Sequence, residues 1–198
     1  MAAALDSGLS GKVAVVTGGS RGIGRAIVEL LAGDGVDVVF FYRGNSEAAR
    51  EVADAVAQAG GKAEAIQADV ADSAAVAAAI ERVIETRGRI DVLVNNAGVV
   101  RDNLLALLSD EDVSVVLDTN VGGVFNVTRA VVPHMISKRS GRIINLSSVA
   151  GEKAGRAQAN YAASKGAINA FTRAMAVELA SRKITVNVKG EILALKNT

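Results

Sequence analysis

Between Lys12 and Gly35 a short strand runs into a glycine-rich turn and the turn into a helix, a succession that limits the folds open to this chain. Val13-Ala14-Val15-Val16 is a continuous apolar run of strand length, the mark of a strand buried on both faces. It passes into Gly18-Gly19-Ser20-Arg21-Gly22-Ile23-Gly24. From Gly22 onward, Ile23, Ile27, Leu30 and Leu31 recur at helical spacing as far as Gly33 and Gly35, where glycine stops a helix. A strand, a glycine turn and a helix start in that order make a phosphate cradle. The glycines let the backbone approach a pyrophosphate, and the helix N-terminus offers free N–H groups and a partial positive charge. A tight turn without a ligand uses the same residues; the position after a buried strand and at a helix start favours nucleotide binding.

A second apolar run, Val38-Val39-Phe40-Phe41-Tyr42, ends at Arg43-Gly44-Asn45. In dinucleotide folds the residue past this strand meets the adenosine ribose: a carboxylate grips a 2′-hydroxyl, and an arginine accommodates a 2′-phosphate. No acid stands here. Arg43 is available and Arg21 adds a second positive charge, which favours NADP(H) over NAD(H).

A helix over 46–59, closed by Gly60-Gly61, precedes a strand over 63–67 that leads into Ala68-Asp69-Val70. Another helix runs from about Ser73 to Arg87, with Val76, Ile80, Val83 and Ile84 inward. The strand over 90–94 ends in Asn95-Asn96-Ala97-Gly98. Alternating elements of these lengths mean βαβ units, hence an α/β, Rossmann-like, doubly wound parallel sheet with helices on both faces. Ligands of such sheets bind beyond the strand C-terminal ends. Those ends carry Gly18 to Gly24, Arg43, Asp69-Val70, Asn95 to Gly98 and, later, Ser147-Ser148.

Ser109 to Asp112 has capping-box form and opens a helix through Val113, Val116, Leu117, Val121 and Val124 towards His134. Asn120 lies inside it, either buried for a hydrogen-bonding reason or facing solvent without consequence. The lone His134, beside Pro133, reads as a helix-end surface residue. A strand over 142–146 ends at Ser147-Ser148, and a polar loop precedes a helix from about Tyr161 to Ala180. Tyr161 and Lys165 are four apart and share one face of that helix. A nearby cation favours phenolate over phenol, which tunes the tyrosine as a proton donor and acceptor. A last strand covers 184–188.

Composition excludes several classes. With 198 residues the chain suits one domain, and it has no cysteine for disulfides or thiolate metal sites. No metal site is expected. The net charge of +1 comes from interspersed acids and bases, which leaves no basic stripe for nucleic acid. Residues 1–11 lack a basic start and an apolar core, and read as a loose arm rather than a signal peptide. No apolar run reaches membrane-spanning length. A soluble cytoplasmic protein is the expectation.

Thr17-Gly18-x-x-x-Gly22-x-Gly24, Asn95-Asn96-Ala97-Gly98, Ser148 and Tyr161-x-x-x-Lys165 occur in the order and spacing of the short-chain dehydrogenase/reductase family, and the likeness covers about Leu9 to Val188. The turn Thr17 to Gly24, the run Arg101-Asp102-Asn103-Leu104-Leu105 and the stretch Asn160 to Lys165 most resemble its 3-oxoacyl-[acyl-carrier-protein] reductases. The resemblance implies that Tyr161 protonates a carbonyl oxygen, that Lys165 lowers its pKa and holds the nicotinamide ribose, and that Ser148, rather than its neighbour Ser147, hydrogen-bonds the carbonyl. It implies that Asn120 holds a relay water and that Asp69, Val70, Asn96, Ala97 and Gly98 line the adenosine side, with Ser20, Arg21 and Ile23 in the phosphate turn. The implied reaction is NADPH-dependent reduction of a 3-oxoacyl thioester in fatty acid synthesis. Arg139 and Arg182 would help dock an acidic acyl carrier protein, and the assembly would be a homotetramer. Other ketone reductases of the family, acting on acetoacetyl-CoA, a steroid or a sugar, and a non-catalytic nucleotide-binding scaffold are the alternatives.

The sequence also departs from the family. Members normally continue past the strand matching 184–188 with a Pro-Gly turn, a substrate lid and a final strand. Here the only proline is Pro133, and 189–198 is an atypical helix-like tail after the domain spanning 12–188. Either the chain is truncated there or a lid segment is missing between Val188 and Lys189.

Overall fold

A computed structural model describes residues 8–153 and 155–190. The strands are β1 (Val13–Thr17), β2 (Asp37–Tyr42), β3 (Lys62–Gln67), β4 (Val92–Asn95), β5 (Gly141–Leu146) and β6 (Ile184–Lys189). The helices are α1 (Gly22–Gly33), α2 (Ser46–Gln58), α3 (Ser73–Arg87), α4 (Asp110–Leu117), α5 (Gly123–Lys138) and α6 (Ala159–Leu179). All strand pairings are parallel, in the order β3-β2-β1-β4-β5-β6. The order reverses between β1 and β4, the switch point where a crevice opens at the strand C-terminal ends.

The apolar runs read from the sequence are buried from both sides. Successive residues of a strand point to opposite faces. Ala14, Val16, Val38 and Phe40 therefore pack under Val28 and Ala32 of α1 and Val52 and Val56 of α2. Val15, Val39, Phe41, Leu93 and Ile143 meet Ile80 and Val83 of α3, Val127, Val131 and Met135 of α5 and Leu179 of α6. Each such large side chain, fully buried, contributes about 1.5–3 kcal/mol.

Register brings the strand ends level. Thr17 pairs with Phe41, Val16 with Val94, and Asn95 with Asn145. The loops leaving β1, β4 and β5 thus start from neighbouring rows on one rim.

Four expectations shift. The helix starting at Ser109, with its capping box formed (Asp112 N–H to Ser109 Oγ 3.0 Å), does not run unbroken to His134; a π-helical turn at Asp118–Gly122 separates α4 from α5. His134 lies within α5 and is half-buried. Near the N-terminus, Leu9 packs against the α1–α2 core and Gly11 N–H donates to Gly35 O at 3.0 Å, so this part of the arm is docked. At the other end β6 takes in Lys189, paired with Leu146; the expected helical tail from Glu191 onward lies outside the described residues. Among the described residues no helix is long and apolar enough to cross a membrane, and no group of three metal-ligating side chains occurs.

Candidate active site

A cleft of about 530 Å³ opens at the β1/β4 switch point. Gly18, Ser20, Arg21, Gly22, Ile23, Gly24, Arg43, Asp69, Val70, Asn96, Ala97 and Gly98 all line it, so the residues expected to hold the phosphates and the adenosine side are brought to one place, while Tyr161 and Lys165, expected at the nicotinamide, are not among its lining. Val99 and Thr119 complete the end nearer α6.

The glycine turn is shaped for a ligand. Gly18 and Gly22 have φ of 67° and 54°, in the left-handed region that favours glycine. A Cβ on Gly24 would run into the Gly18 carbonyl, and one on Gly19 would stand 2.6 Å from Phe40 Cβ. The turn is thereby packed down on the sheet end. α2, α3 and α4 have their first N–H groups capped by Asn45, Asp72 and Ser109. α1, like α5 and α6, has no side-chain cap, and its first residues Gly22, Ile23 and Gly24 line the cleft, which suits a helix start that receives an anion from outside.

Thr17 and Asn96 join the two sides of the cleft. Asn96 N–H and Ala97 N–H both donate to Thr17 Oγ1 at 3.0 Å, and Asn96 Nδ2 donates to the Thr17 and Gly18 carbonyls at 2.9 and 3.1 Å. The side chain of Asn96 thus holds the glycine turn rather than presenting itself as a free donor.

Tyr161 and Lys165 lie in the first turns of α6. The Lys165 side chain is buried and its Nζ donates to Leu146 O at 2.8 Å, and that Nζ stands 5.5 Å from the Tyr161 ring centroid. Three consecutive residues at the end of β5 grip this helix: Asn145 Nδ2 donates to Thr172 Oγ1 (2.9 Å), Leu146 O receives Lys165 Nζ, and Ser147 Oγ donates to Lys165 O (3.2 Å). Ser147 is buried in that contact. Ser148 is half-buried, and its Oγ accepts from Ala150 N–H at 3.2 Å, which leaves its own proton to donate.

Asn120 ties the cleft to α6. Its Oδ1 accepts from Val99 N–H (2.8 Å), and its Nδ2 donates to Val99 O (3.0 Å) and to Ser164 Oγ (3.1 Å). Both amide hydrogens are used, so the side chain cannot donate to a relay water. Those three bonds are the physical answer to why an asparagine is buried there.

Arg139 and Arg182 sit elsewhere. Arg139 ends α5 and Arg182 follows α6, both exposed, and Arg139 Nη2 donates to Ser181 O at 3.1 Å. Tyr161 lies at the opposite end of the 21-residue α6, roughly 30 Å of helix away. They border the strand N-terminal edge, not the rim with the cleft.

Asn126, and the bonds made by Asn95 and Asn160, also shape the rim and were not legible in the sequence. Asn160, buried, accepts from Tyr161 N–H (2.8 Å) and donates to Arg101 O (2.9 Å), and Asn126 donates to Val70 O (3.0 Å). Asn95 donates to Thr128 and Asn145 in a buried network. A short polar residue in an apolar helix or strand was the signal available; its partner, dozens of residues away, was not.

Comparison with known proteins places this geometry. The family model for short chain dehydrogenases matches residues 12–190. A 3-oxoacyl-[acyl-carrier-protein] reductase FabG of Staphylococcus aureus is 48% identical over 176 residues, 89% of this chain and 72% of that protein. The Escherichia coli FabG is 42% identical over 178 residues, 90% of this chain and 71% of that protein. Among solved structures, a metagenomic short-chain oxidoreductase in complex with NADP superposes with a TM-score of 0.90 at 38% identity, covering 94% of this chain and 84% of the other. A Serratia marcescens short-chain dehydrogenase/reductase variant gives 0.86 at 44% identity, covering 91% and 73%. With the cleft, the Tyr161–Lys165 pair and these matches in agreement, the chain belongs to the short-chain dehydrogenase family.

Proposed function

We propose that the protein reduces 3-oxoacyl thioesters carried on acyl carrier protein to 3-hydroxyacyl thioesters, with NADPH, in fatty acid synthesis. The observation that carries this reading is the buried Lys165 ammonium beside the Tyr161 ring, next to a dinucleotide-shaped cleft. It is supported by relatives of 42–48% identity that bear the name of that reductase. The glycine turn and α1 suit the pyrophosphate, Arg21 and Arg43 the 2′-phosphate, and Asp69 and Val70 the adenosine; one solved relative is a complex with NADP.

The cofactor, when bound, supplies the hydride. The chain must then orient the ketone and provide a proton. Tyr161 donates that proton to the carbonyl oxygen as negative charge develops there, and Ser148 donates a hydrogen bond to the same oxygen. Lys165, at 5.5 Å from the ring, favours the phenolate that remains. A water resupplying the proton is held by the main chain of the Asn120 turn, because the Asn120 amide is already committed.

The working form we propose is a cytoplasmic homotetramer. Phe125 of α5, half exposed, packs against Phe171 of α6 with tilted rings whose centroids are 4.6 Å apart, and Val177 of α6 is 82% exposed. Such apolar helix faces suit pairing with a second copy. Arg139 and Arg182 lie about 30 Å of helix from Tyr161 of their own subunit, so a carrier protein docked on them serves the site of a neighbouring subunit.

The test is NADPH oxidation with acetoacetyl thioesters on carrier protein and on coenzyme A. A kcat/KM at least tenfold higher for the carrier form supports the reading. Equal values point to another ketone reductase of the family, and no turnover with either points to a nucleotide-binding scaffold.

A further inference from the structure

Asn126 lies on α5, outside the catalytic set, and reaches across to the loop after β3. Its Nδ2 donates to Val70 O at 3.0 Å and to Ala71 O at 3.4 Å. One turn earlier, a Cβ on Gly123 would stand 2.6 Å from Val70 Cγ2, so only glycine there lets the helix come this close. The same loop is braced internally: Asp69 Oδ1 accepts from Ala71 N–H at 3.0 Å, and Ala68 N–H donates to Tyr42 O at 2.9 Å. Ala68, Asp69 and Val70 form the cleft wall at the end holding Arg43.

We propose that Asn126 is a positioning residue for the adenosine end of the cofactor. By holding the carbonyls of two successive peptides it fixes both peptide planes, and with them the directions in which Asp69 and Val70 face the cleft. Without those bonds the carbonyls turn to water and the wall that meets the adenine loses its set shape. The inference rests on the NADP(H) reading, and it concerns recognition of the nucleotide rather than the chemistry at Tyr161.

The experiment measures dissociation constants of NADPH, of 2′,5′-ADP as the adenosine half and of reduced nicotinamide mononucleotide as the other half. It compares wild type with Asn126→Leu and Asn126→Asp under conditions where circular dichroism shows each folded; Asn126→Ser replaces any variant that does not fold. The expected result is an approximately tenfold weaker affinity for NADPH and 2′,5′-ADP, equivalent to about 1.4 kcal/mol. Affinity for the nicotinamide half stays unchanged. Asp, nearly the same size but an acceptor facing two carbonyls, weakens 2′,5′-ADP at least as much as Leu, an ordering that packing alone would not produce. Folded variants that bind 2′,5′-ADP within twofold of wild type, or that weaken both halves equally, overturn the proposal. Wild type that fails to bind 2′,5′-ADP overturns the cofactor reading itself.

Discussion

Lys165 Nζ stands 5.5 Å from the centre of the Tyr161 ring while bonded at 2.8 Å to the carbonyl of Leu146, the last residue of β5. The lysine is therefore positioned by the strand, not by the helix alone, and the tyrosine inherits that placement one helical turn away. An ammonium so buried needs a polar partner, and the Leu146 carbonyl is one. That bond ties the sheet end to the Tyr161–Lys165 pair.

Adjacent serines separate by role. Ser147→Ala removes a buried hydrogen bond to Lys165 O and costs about 1 kcal/mol of stability, with kcat reduced less than tenfold. Ser148→Ala loses the cap on Ala150 N–H, about 1 kcal/mol of stability, but lowers kcat at least ~100-fold, the worth of one donor to a developing oxyanion. Urea titration together with steady-state rates on both variants checks the split.

Asn120→Leu unlinks Val99 from Ser164. The buried partners left behind cost about 1–3 kcal/mol, read as a lower urea midpoint. Activity falls as well, since the π-turn has lost the side chain that holds its shape.

Gly24→Ala drives a methyl into the Gly18 carbonyl and spreads the glycine turn. NADPH affinity is expected to drop at least ~10-fold, a backbone displacement costing more than one hydrogen bond. Fluorescence titration measures it.

Arg43→Ala is expected to weaken NADPH about tenfold and to leave NADH binding unchanged, since only the 2′-phosphate needs the guanidinium. Parallel titrations with the two nucleotides give the ratio; equal weakening of both would assign Arg43 to something other than the phosphate.

Much of this architecture was legible in the residues. Val13 to Val16 and Val38 to Tyr42 read as buried strands because parallel strands covered on both faces are continuously apolar. The glycine turn and Arg43 could be placed because their positions follow from the strand ends. The π-turn at Asp118–Gly122 could not, since a helical pattern runs straight through it and its cause lies in Val99 and Ser164. The bonds of Asn126 and Asn160 stayed hidden for the same reason: their partners Val70 and Arg101 are distant in sequence. Local periodicity reports which face is buried, and it carries no information on side-chain bonds between remote segments.

The most direct measurement is the single-turnover reduction of an acetoacetyl thioester by Tyr161→Phe, with NADPH affinity determined on the same preparation. The expected result is a rate at least ~100-fold below wild type with the NADPH dissociation constant within twofold. A variant that turns over at the wild-type rate would contradict proton donation by Tyr161 and, with it, the reading of this rim as a reductase site.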